Sequence, residues 1–175
     1  MPSSKKKKKK NRDDWCTPPE MWKLALKAAG RRAFDVDPFS NEMSTVPAKK
    51  TYIRTGGEDH VMKKGEAGWA NGPFSKPGFW FQWSFDQMDR GASVYGLARF
   101  DPSTEAWKRF GPNMVWIPPY RVEYIPPPGV SDDSGPNFMS ALCLWSSQRK
   151  NMDRWHRAFE NSGGYLGLRN GPFYE

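Results

Sequence analysis

The tetrapeptide Asn71-Gly72-Pro73-Phe74 combines residue types that could act together on the exocyclic amine of a nucleobase. Such an amine is a poor nucleophile, because its lone pair is delocalised into the ring. The side-chain oxygen of Asn71 and the main-chain carbonyl of Gly72 could accept both amino hydrogens and favour a pyramidal nitrogen. The ring of Phe74 could stack on a base that has left its helix. A tight turn after a strand is the alternative, since these residue types favour turns.

Two carboxylates follow an apolar stretch upstream of this motif. The sequence Ala33-Phe34-Asp35-Val36 predicts a buried strand that stops at Asp37-Pro38. Asn71 likewise follows a short predicted strand. Because ligands of α/β sheets bind at the carboxyl ends of the strands, both strand ends are candidates for one binding cleft. A solvated loop carboxylate or a helix cap is the alternative for each aspartate taken alone.

Alternating strand and helix patterns predict an α/β fold with a central, mostly parallel sheet flanked by helices. The predicted strands cover 33–36, 67–70, 92–98, 114–117, 121–125 and 138–145, and the predicted helices begin at Pro18-Pro19, Phe79, Ser103 and Asp153. Thr17 is expected to cap the first helix and Gly30 to end it. Residues 39–68 show little periodicity.

The net charge of +8 is unevenly distributed along the 175 residues. A run of lysines near the N-terminus leaves the rest of the chain close to neutral; it consists of Lys5, Lys6, Lys7, Lys8, Lys9 and Lys10. We expect residues 1–12 to be a disordered tail and residues 13–175 to form a single domain. The tail could hold polyanions through counterion release, act as a nuclear-import tract, or only keep the protein soluble.

Composition argues against several classes of protein. No apolar run approaches the roughly 20 residues that a membrane helix needs, and no apolar signal region begins the chain, so we expect a cytoplasmic protein, in the host cell if it is viral. Cys16 and Cys143 lie far apart, and His60 and His156 are isolated. We therefore expect reduced thiols and no metal site.

Aromatic residues are frequent and leave two alternatives open. They make up 15 % of the chain and include nine tryptophans, which could fill the core or serve as stacking platforms for bases. The segment Ile117-Pro118-Pro119-Tyr120 also places an aromatic residue after proline, as the Asn71 motif does. Because Ile117 has no polar group, we expect this second segment to be a rigid connection after a strand.

Four ordered blocks resemble the phage-encoded DNA N6-adenine methyltransferase (Dam-like) family. They are Asp14-Trp15-Cys16-Thr17-Pro18, Phe34-Asp35-Val36-Asp37-Pro38, Asn71-Gly72-Pro73-Phe74-Ser75, and the segment from Arg99-Phe100-Asp101 through Trp107. The third block resembles the family's Asn-Pro-Pro-Tyr/Phe catalytic motif, with Gly72 where proline is usual. Glycine keeps the main-chain carbonyl but loses rigidity, because proline fixes φ. The resemblance spans roughly residues 13–147.

This resemblance implies a Rossmann-like, S-adenosylmethionine-dependent methyltransferase that acts on N6 of a flipped adenine in DNA. The catalytic residues that it implies are Asn71, Gly72, Pro73 and Phe74, and the cofactor-binding residues are Trp15, Thr17, Pro18, Asp35, Asp37 and Asp59. The DNA-binding residues that it suggests are Ser75, Arg99, Asp101 and Trp107, beside the lysine run. A structural ion pair between Arg99 and Asp101 is an equal alternative.

Other functions also remain compatible with the sequence. Cytosine N4 has the same amine chemistry as adenine N6, and RNA could replace DNA as the substrate. Gly72 and the lysine run are also compatible with a catalytically impaired, methyltransferase-like nucleic-acid-binding protein. The chain is short for a separate target-recognition domain, so we expect loops such as 39–66 and 126–137 to provide specificity. The target sequence and the oligomeric state stay open.

Overall fold

The computed structural model describes residues 12–130 and 136–168, which form a seven-stranded sheet with helices on both faces. The strands are β1 (Phe34–Ser40), β2 (Ala48–Ile53), β3 (Ala67–Ala70), β4 (Ser93–Arg99), β5 (Met114–Ile117), β6 (Ser140–Ser146) and β7 (Tyr165–Leu168). The helices are α1 (Pro19–Ala29), α2 (Pro77–Asp89), α3 (Glu105–Phe110) and α4 (Arg149–Phe159), and a 3-10 turn covers Arg12–Asp14. The predicted α/β class is confirmed, whereas the predicted tail lies outside the described residues except for Arg12.

The strand order is β2-β1-β3-β4-β6-β5-β7, and the sheet is mixed. The first four strands are parallel, but β6 pairs antiparallel with both β4 and β5, and β7 pairs antiparallel with β5. The prediction of a mostly parallel sheet is therefore wrong. A parallel pair of strands needs a crossover connection, which is usually a helix. The described parts of the connection from β5 to β6 contain no helix, so β6 starts at the edge of the sheet where β5 ends and runs antiparallel to it.

The core lies on both faces of the sheet. Along β4, Tyr95 and Leu97 pack toward α1 and α4, while Val94 and Ala98 pack toward α2 and α3. This alternation buries both faces of the central strands, which explains their nearly continuous apolar sequences. Eight of the nine tryptophans are buried, so these rings serve mainly the core.

Helix α1 ends at Gly30, as predicted, but it begins without the predicted cap. Gly30 has a φ of 65°, and its N–H donates to the carbonyl of Lys27, which is the usual way a glycine ends a helix. Pro18 is the N-cap residue, and no side chain caps the helix. The prediction that Thr17 caps α1 is therefore wrong, because its hydroxyl instead accepts a hydrogen bond from Asn71.

Several further elements differ from the prediction. Strands β2 and β7 were not predicted, and α4 begins at Arg149, one turn before the predicted Asp153. Residues 121–125 form no strand, since only Ile125 pairs with Cys16 in an isolated bridge. Strand β1 continues beyond the predicted stop to Ser40. It tolerates Pro38 because its register with β2 shifts at this position, where a missing N–H does not interrupt a regular ladder. Among the described residues, no helix is long and apolar enough to cross a membrane.

Candidate active site

A cavity of about 200 Å³ opens at the carboxyl ends of β1 and β3. The chain order reverses there, because β2 lies on one side of β1 and β3 on the other. Such a topological switch point is where α/β sheets commonly bind ligands. Of the predicted site residues, the cavity brings together Trp15, Thr17, Asp37, Asn71 and Pro73.

Asn71 lines this cavity and carries an unused acceptor. Its Nδ2 donates to the hydroxyl oxygen of Thr17 at 2.7 Å, which fixes the orientation of the amide. Its Oδ1 is buried and, among the residues that the structure describes, is the one buried side-chain oxygen without a hydrogen-bond partner. An unpaired buried acceptor costs about 1–3 kcal/mol. A ligand that donates a hydrogen bond to Oδ1 would therefore recover this free energy.

The segment 13–17, which we call the N-terminal strap, forms one wall of the cavity and ties the loops together. The carboxylate of Asp13 accepts hydrogen bonds from the backbone N–H of Ser75 at 3.0 Å and from its hydroxyl at 2.5 Å. Cys16 exchanges two backbone hydrogen bonds with Ile125, each 3.0 Å long. The strap therefore fixes the loop that carries Asn71.

Asp37 places a buried carboxyl group in the same cavity. Its side chain is 2 % exposed and accepts a hydrogen bond from the backbone N–H of Phe39 at 3.3 Å. Burial raises the pKa of Asp37 to about 7, against the lowering effect of that hydrogen bond. The carboxyl group would gain from a cation or a hydroxyl donor on a ligand.

Arg54, which the sequence analysis missed, closes the rim of the cavity. Its guanidinium pairs with Asp14 at 2.9 Å and with Glu42 at 2.8 Å, and these partners raise the pKa of Arg54. Its φ of 66° is unusual for a residue other than glycine and marks local strain at the end of β2. The sequence gives one indication of this position. The residue types at 51–53 favour a strand, and the two glycines at 56–57 indicate a turn, so Arg54 lies where a short strand ends.

Three predicted cofactor residues lie outside the cavity. Asp35 sits near the amino end of β1, where Arg31, Lys49 and the backbone N–H of Ala67 bind its carboxylate at 2.7–2.9 Å. Pro18 is buried at the start of α1, and Asp59 is exposed in the loop before β3. Among the described residues, no group of three or more histidines, cysteines or carboxylates could hold a metal ion.

Steric crowding explains why the Asn71 motif has glycine at position 72. A Cβ atom at Gly72 would lie 2.4 Å from Cγ of Trp80 and 2.8 Å from its Cβ, distances that real side chains do not adopt. Trp80 is buried in α2 and packs edge-on against Phe81 and Trp145. The indole ring therefore occupies the space that a proline ring at position 72 would need.

Substituting Gly72 with alanine should destabilise the protein. Overpacking costs about 1–3 kcal/mol of unfolding free energy, which lowers Tm by about 2–4 °C for each kcal/mol in a chain of this size. Gly78→Ala is the matched control, because no atom lies within 4 Å of an added Cβ there. That change should stabilise α2 by about 0.5–1 kcal/mol. Thermal denaturation of both variants checks the pair.

The same steric argument predicts coupling with Trp80. In a Trp80→Ala background, Gly72→Ala should cost less than in the wild type, because the obstructing Cγ is gone. Equal costs in both backgrounds would show that Trp80 does not dictate the glycine.

Phe74 lies in an aromatic cluster beside the cavity. Its half-buried ring meets Tyr124 and Phe138 edge-on, at centroid distances of 5.4 and 4.9 Å. The guanidinium of Arg99 lies 5.9 Å from the centroid of the Phe138 ring. This cluster links the Asn71 motif to the ends of the neighbouring strands β4 and β6.

The predicted DNA-contact residues have different surroundings. Arg99 pairs with Asp101 at 3.1 Å, so the ion pair that the sequence allowed is present. Trp107 is buried and donates from its ring nitrogen to the carbonyl of Arg99 at 3.0 Å, which places it beneath the surface. Ser75 is bound by Asp13, as described above. The lysines 5–10 lie outside the described residues.

Comparison with known proteins identifies a family for this chain. The model of one protein family, described as DNA N-6-adenine-methyltransferase (Dam), matches residues 4–159. No curated protein matches the chain significantly. The matched region contains the N-terminal strap, the end of β1 that carries Asp37, and the Asn71 motif. The chain therefore belongs to the DNA N-6-adenine-methyltransferase (Dam) family.

Proposed function

We propose that this protein transfers a methyl group from S-adenosylmethionine to N6 of an adenine that is extruded from DNA. Membership of the family supplies the coarser activity, methylation of adenine N6 in DNA. The observation that carries the finer proposal is the buried, unpaired Oδ1 of Asn71 at the switch point of the sheet. The parallel strands β2-β1-β3-β4 around that point support a Rossmann-like fold.

The residues of the cavity fit the cofactor. S-adenosylmethionine, when bound, supplies an electrophilic methyl group on a sulfonium centre. Asp37 would accept hydrogen bonds from the ammonium group or from the ribose hydroxyls, beside the bond that it already accepts from the backbone N–H of Phe39. The buried side chain of Trp15 provides an apolar wall, and Thr17 fixes the neighbouring Asn71.

The Asn71 motif would act on the adenine amine. Oδ1 of Asn71 accepts one amino hydrogen, and the carbonyl of Gly72 accepts the other. Two fixed acceptors favour a pyramidal nitrogen whose lone pair is free to react, and they need no reorganisation during the reaction. Thr17 would contribute by binding the amide nitrogen, which leaves the amide oxygen available to the base.

The surroundings of the motif would hold the base and the DNA. An adenine in a duplex keeps its N6 in a base pair, so it must leave the stack before N6 can react. Phe74 offers a ring for the extruded base, supported from behind by Tyr124 and Phe138. Arg99, positioned by Asp101, offers a cation for a DNA phosphate, and the lysine run adds sequence-independent attraction.

Methyl transfer with labelled S-adenosylmethionine tests the proposed function. Unmethylated duplex DNA is incubated with the protein and digested, and the nucleosides are separated. Labelled N6-methyladenine is expected. Labelled N4-methylcytosine would move the activity to the other exocyclic amine, and label in RNA alone would change the substrate. DNA binding without any transfer, and without thermal stabilisation by the cofactor, would support the impaired nucleic-acid-binding alternative.

A further inference from the structure

A second groove lies at the same edge of the sheet as the cavity, on the far side of Phe74. Strand direction places it there: β5 is antiparallel to β6, and β6 is antiparallel to β4, so β5 ends where β4 ends. The groove has a volume of about 470 Å³ and is lined by residues 118–121, after β5, and 137–140, before and at the start of β6.

The lining of this groove is mostly apolar, and two of its large side chains are exposed. Tyr120 is 51 % exposed and Met139 is 59 % exposed, in a chain that buries nearly all of its tryptophans. Two prolines precede Tyr120 and restrict the backbone that presents it. A rigidly held, exposed aromatic ring is a suitable surface for a flat ligand such as a base.

The groove is continuous with the candidate active site. Phe138 lines the groove and also contacts the Phe74 ring at a centroid distance of 4.9 Å. Arg121, which lines the groove, is fixed by donating to the carbonyl of Pro136 at 2.7 Å, and the guanidinium of Arg99 lies over the ring of Phe138, another lining residue. A mostly apolar groove with arginines close by matches a nucleotide, which joins a flat base to an anionic phosphate.

We propose that this groove binds the base next to the target adenine on the same DNA strand, with Tyr120 as its stacking platform. The inference rests on the proposed function and deepens it. Extrusion of the adenine leaves its neighbour without a stacking partner, and a ring of the protein replaces the lost contact. The inference also gives Ile117-Pro118-Pro119-Tyr120, which the sequence analysis assigned only to a rigid connection, a role in substrate binding.

The test is a double-mutant cycle that combines a substitution of Tyr120 in the protein with removal of the neighbouring base from the DNA. The DNA is a fluorescent duplex with one mismatched adenine, which leaves the stack easily, and a second version lacks the neighbouring base. Affinity is measured by fluorescence anisotropy and methylation is measured in the same samples. Tyr120→Ala should bind the intact DNA about tenfold more weakly than the wild type, as expected for one stacked base. The wild type should lose a similar factor when the neighbouring base is removed.

The two changes should not add. Tyr120→Ala should bind the intact and the abasic DNA equally, because both changes remove the same contact. Tyr120→Phe, which keeps the ring, and Asn161→Ala, at an exposed position after α4, should behave as the wild type. Two factors that multiply, or a Tyr120→Ala variant with wild-type affinity, would overturn the proposal.

Failure of this inference is distinguishable from failure of the proposed function. If the wild type binds the mismatched duplex but transfers no methyl group, the proposed function fails, and the affinity cycle still decides the role of Tyr120. If adenine is methylated, but the effect of Tyr120→Ala and the effect of removing the neighbouring base multiply, only the groove proposal fails. Thermal stabilisation by S-adenosylmethionine should be the same in Tyr120→Ala and the wild type, which shows that the cavity is intact.

Discussion

Replacing Asn71 with alanine should lower the rate of methyl transfer by about 10²–10³-fold, the loss typical of removing one fixed group that stabilises a transition state. The variant loses Oδ1, the acceptor that the fold leaves buried and unpaired. The variant loses an unpaired oxygen but also the bond from Nδ2 to Thr17, so the free energy of unfolding should change by no more than the worth of one hydrogen bond, about 0.5–1.5 kcal/mol. Activity and stability should therefore separate.

The measurement compares initial rates with saturating DNA and cofactor, together with thermal denaturation. Asn161→Ala, the same substitution at an exposed position after α4, is the matched control and should keep full activity. Thr17→Val should fall between the two, because the amide loses the partner that orients it. An Asn71→Ala variant with wild-type rates would remove Asn71 from the mechanism.

Replacing Asp37 with asparagine should stabilise the ligand-free protein at pH 8 while abolishing cofactor binding. The pKa of Asp37 rises from 3.8 to about 7 on folding, mainly through burial. The native state therefore favours the protonated carboxyl group. Its stabilising contribution is complete below pH 4 and is lost as the pH rises through 7. A shift of this size corresponds to about 4 kcal/mol of unfolding free energy.

Urea denaturation at pH 5 and pH 8 checks the first half of this expectation. The difference in unfolding free energy between Asp37→Asn and the wild type should favour the variant more strongly at pH 8. Thermal stabilisation by S-adenosylmethionine checks the second half and should be lost in the variant. A difference that does not change with pH would place the titration elsewhere, and retained stabilisation by the cofactor would exclude Asp37 from its binding.

The two substitutions share a physical origin. Asn71 leaves a buried acceptor unpaired, and Asp37 buries a carboxyl group that would be charged in water. Each feature destabilises the isolated chain, and each would be relieved by a ligand with the complementary donor. Buried polar groups without full pairing are expected at functional sites. Asn71 and Asp37 both line the same cavity.

Local patterns in the sequence determined several parts of the fold. Strands β3 and β5 occupy the predicted ranges 67–70 and 114–117, and Asn71 directly follows β3, as expected. The sequence also resembled the Dam family, and the family model matches residues 4–159. These features could be predicted because apolar periodicity and turn residues act over a few neighbouring positions.

Only the tertiary structure decided which residues meet. Strand β2 lies at the edge of the sheet with mostly exposed side chains, so it lacks the apolar pattern of a buried strand. Asp35 and Asp37 are two positions apart in the sequence, yet only Asp37 reaches the cavity, because Asp35 lies nearer the amino end of β1. The direction of β6, the contact of Gly72 with Trp80 and the bond between Thr17 and Asn71 all join distant parts of the chain. Such contacts depend on the packing of whole elements, which no local pattern of residues encodes.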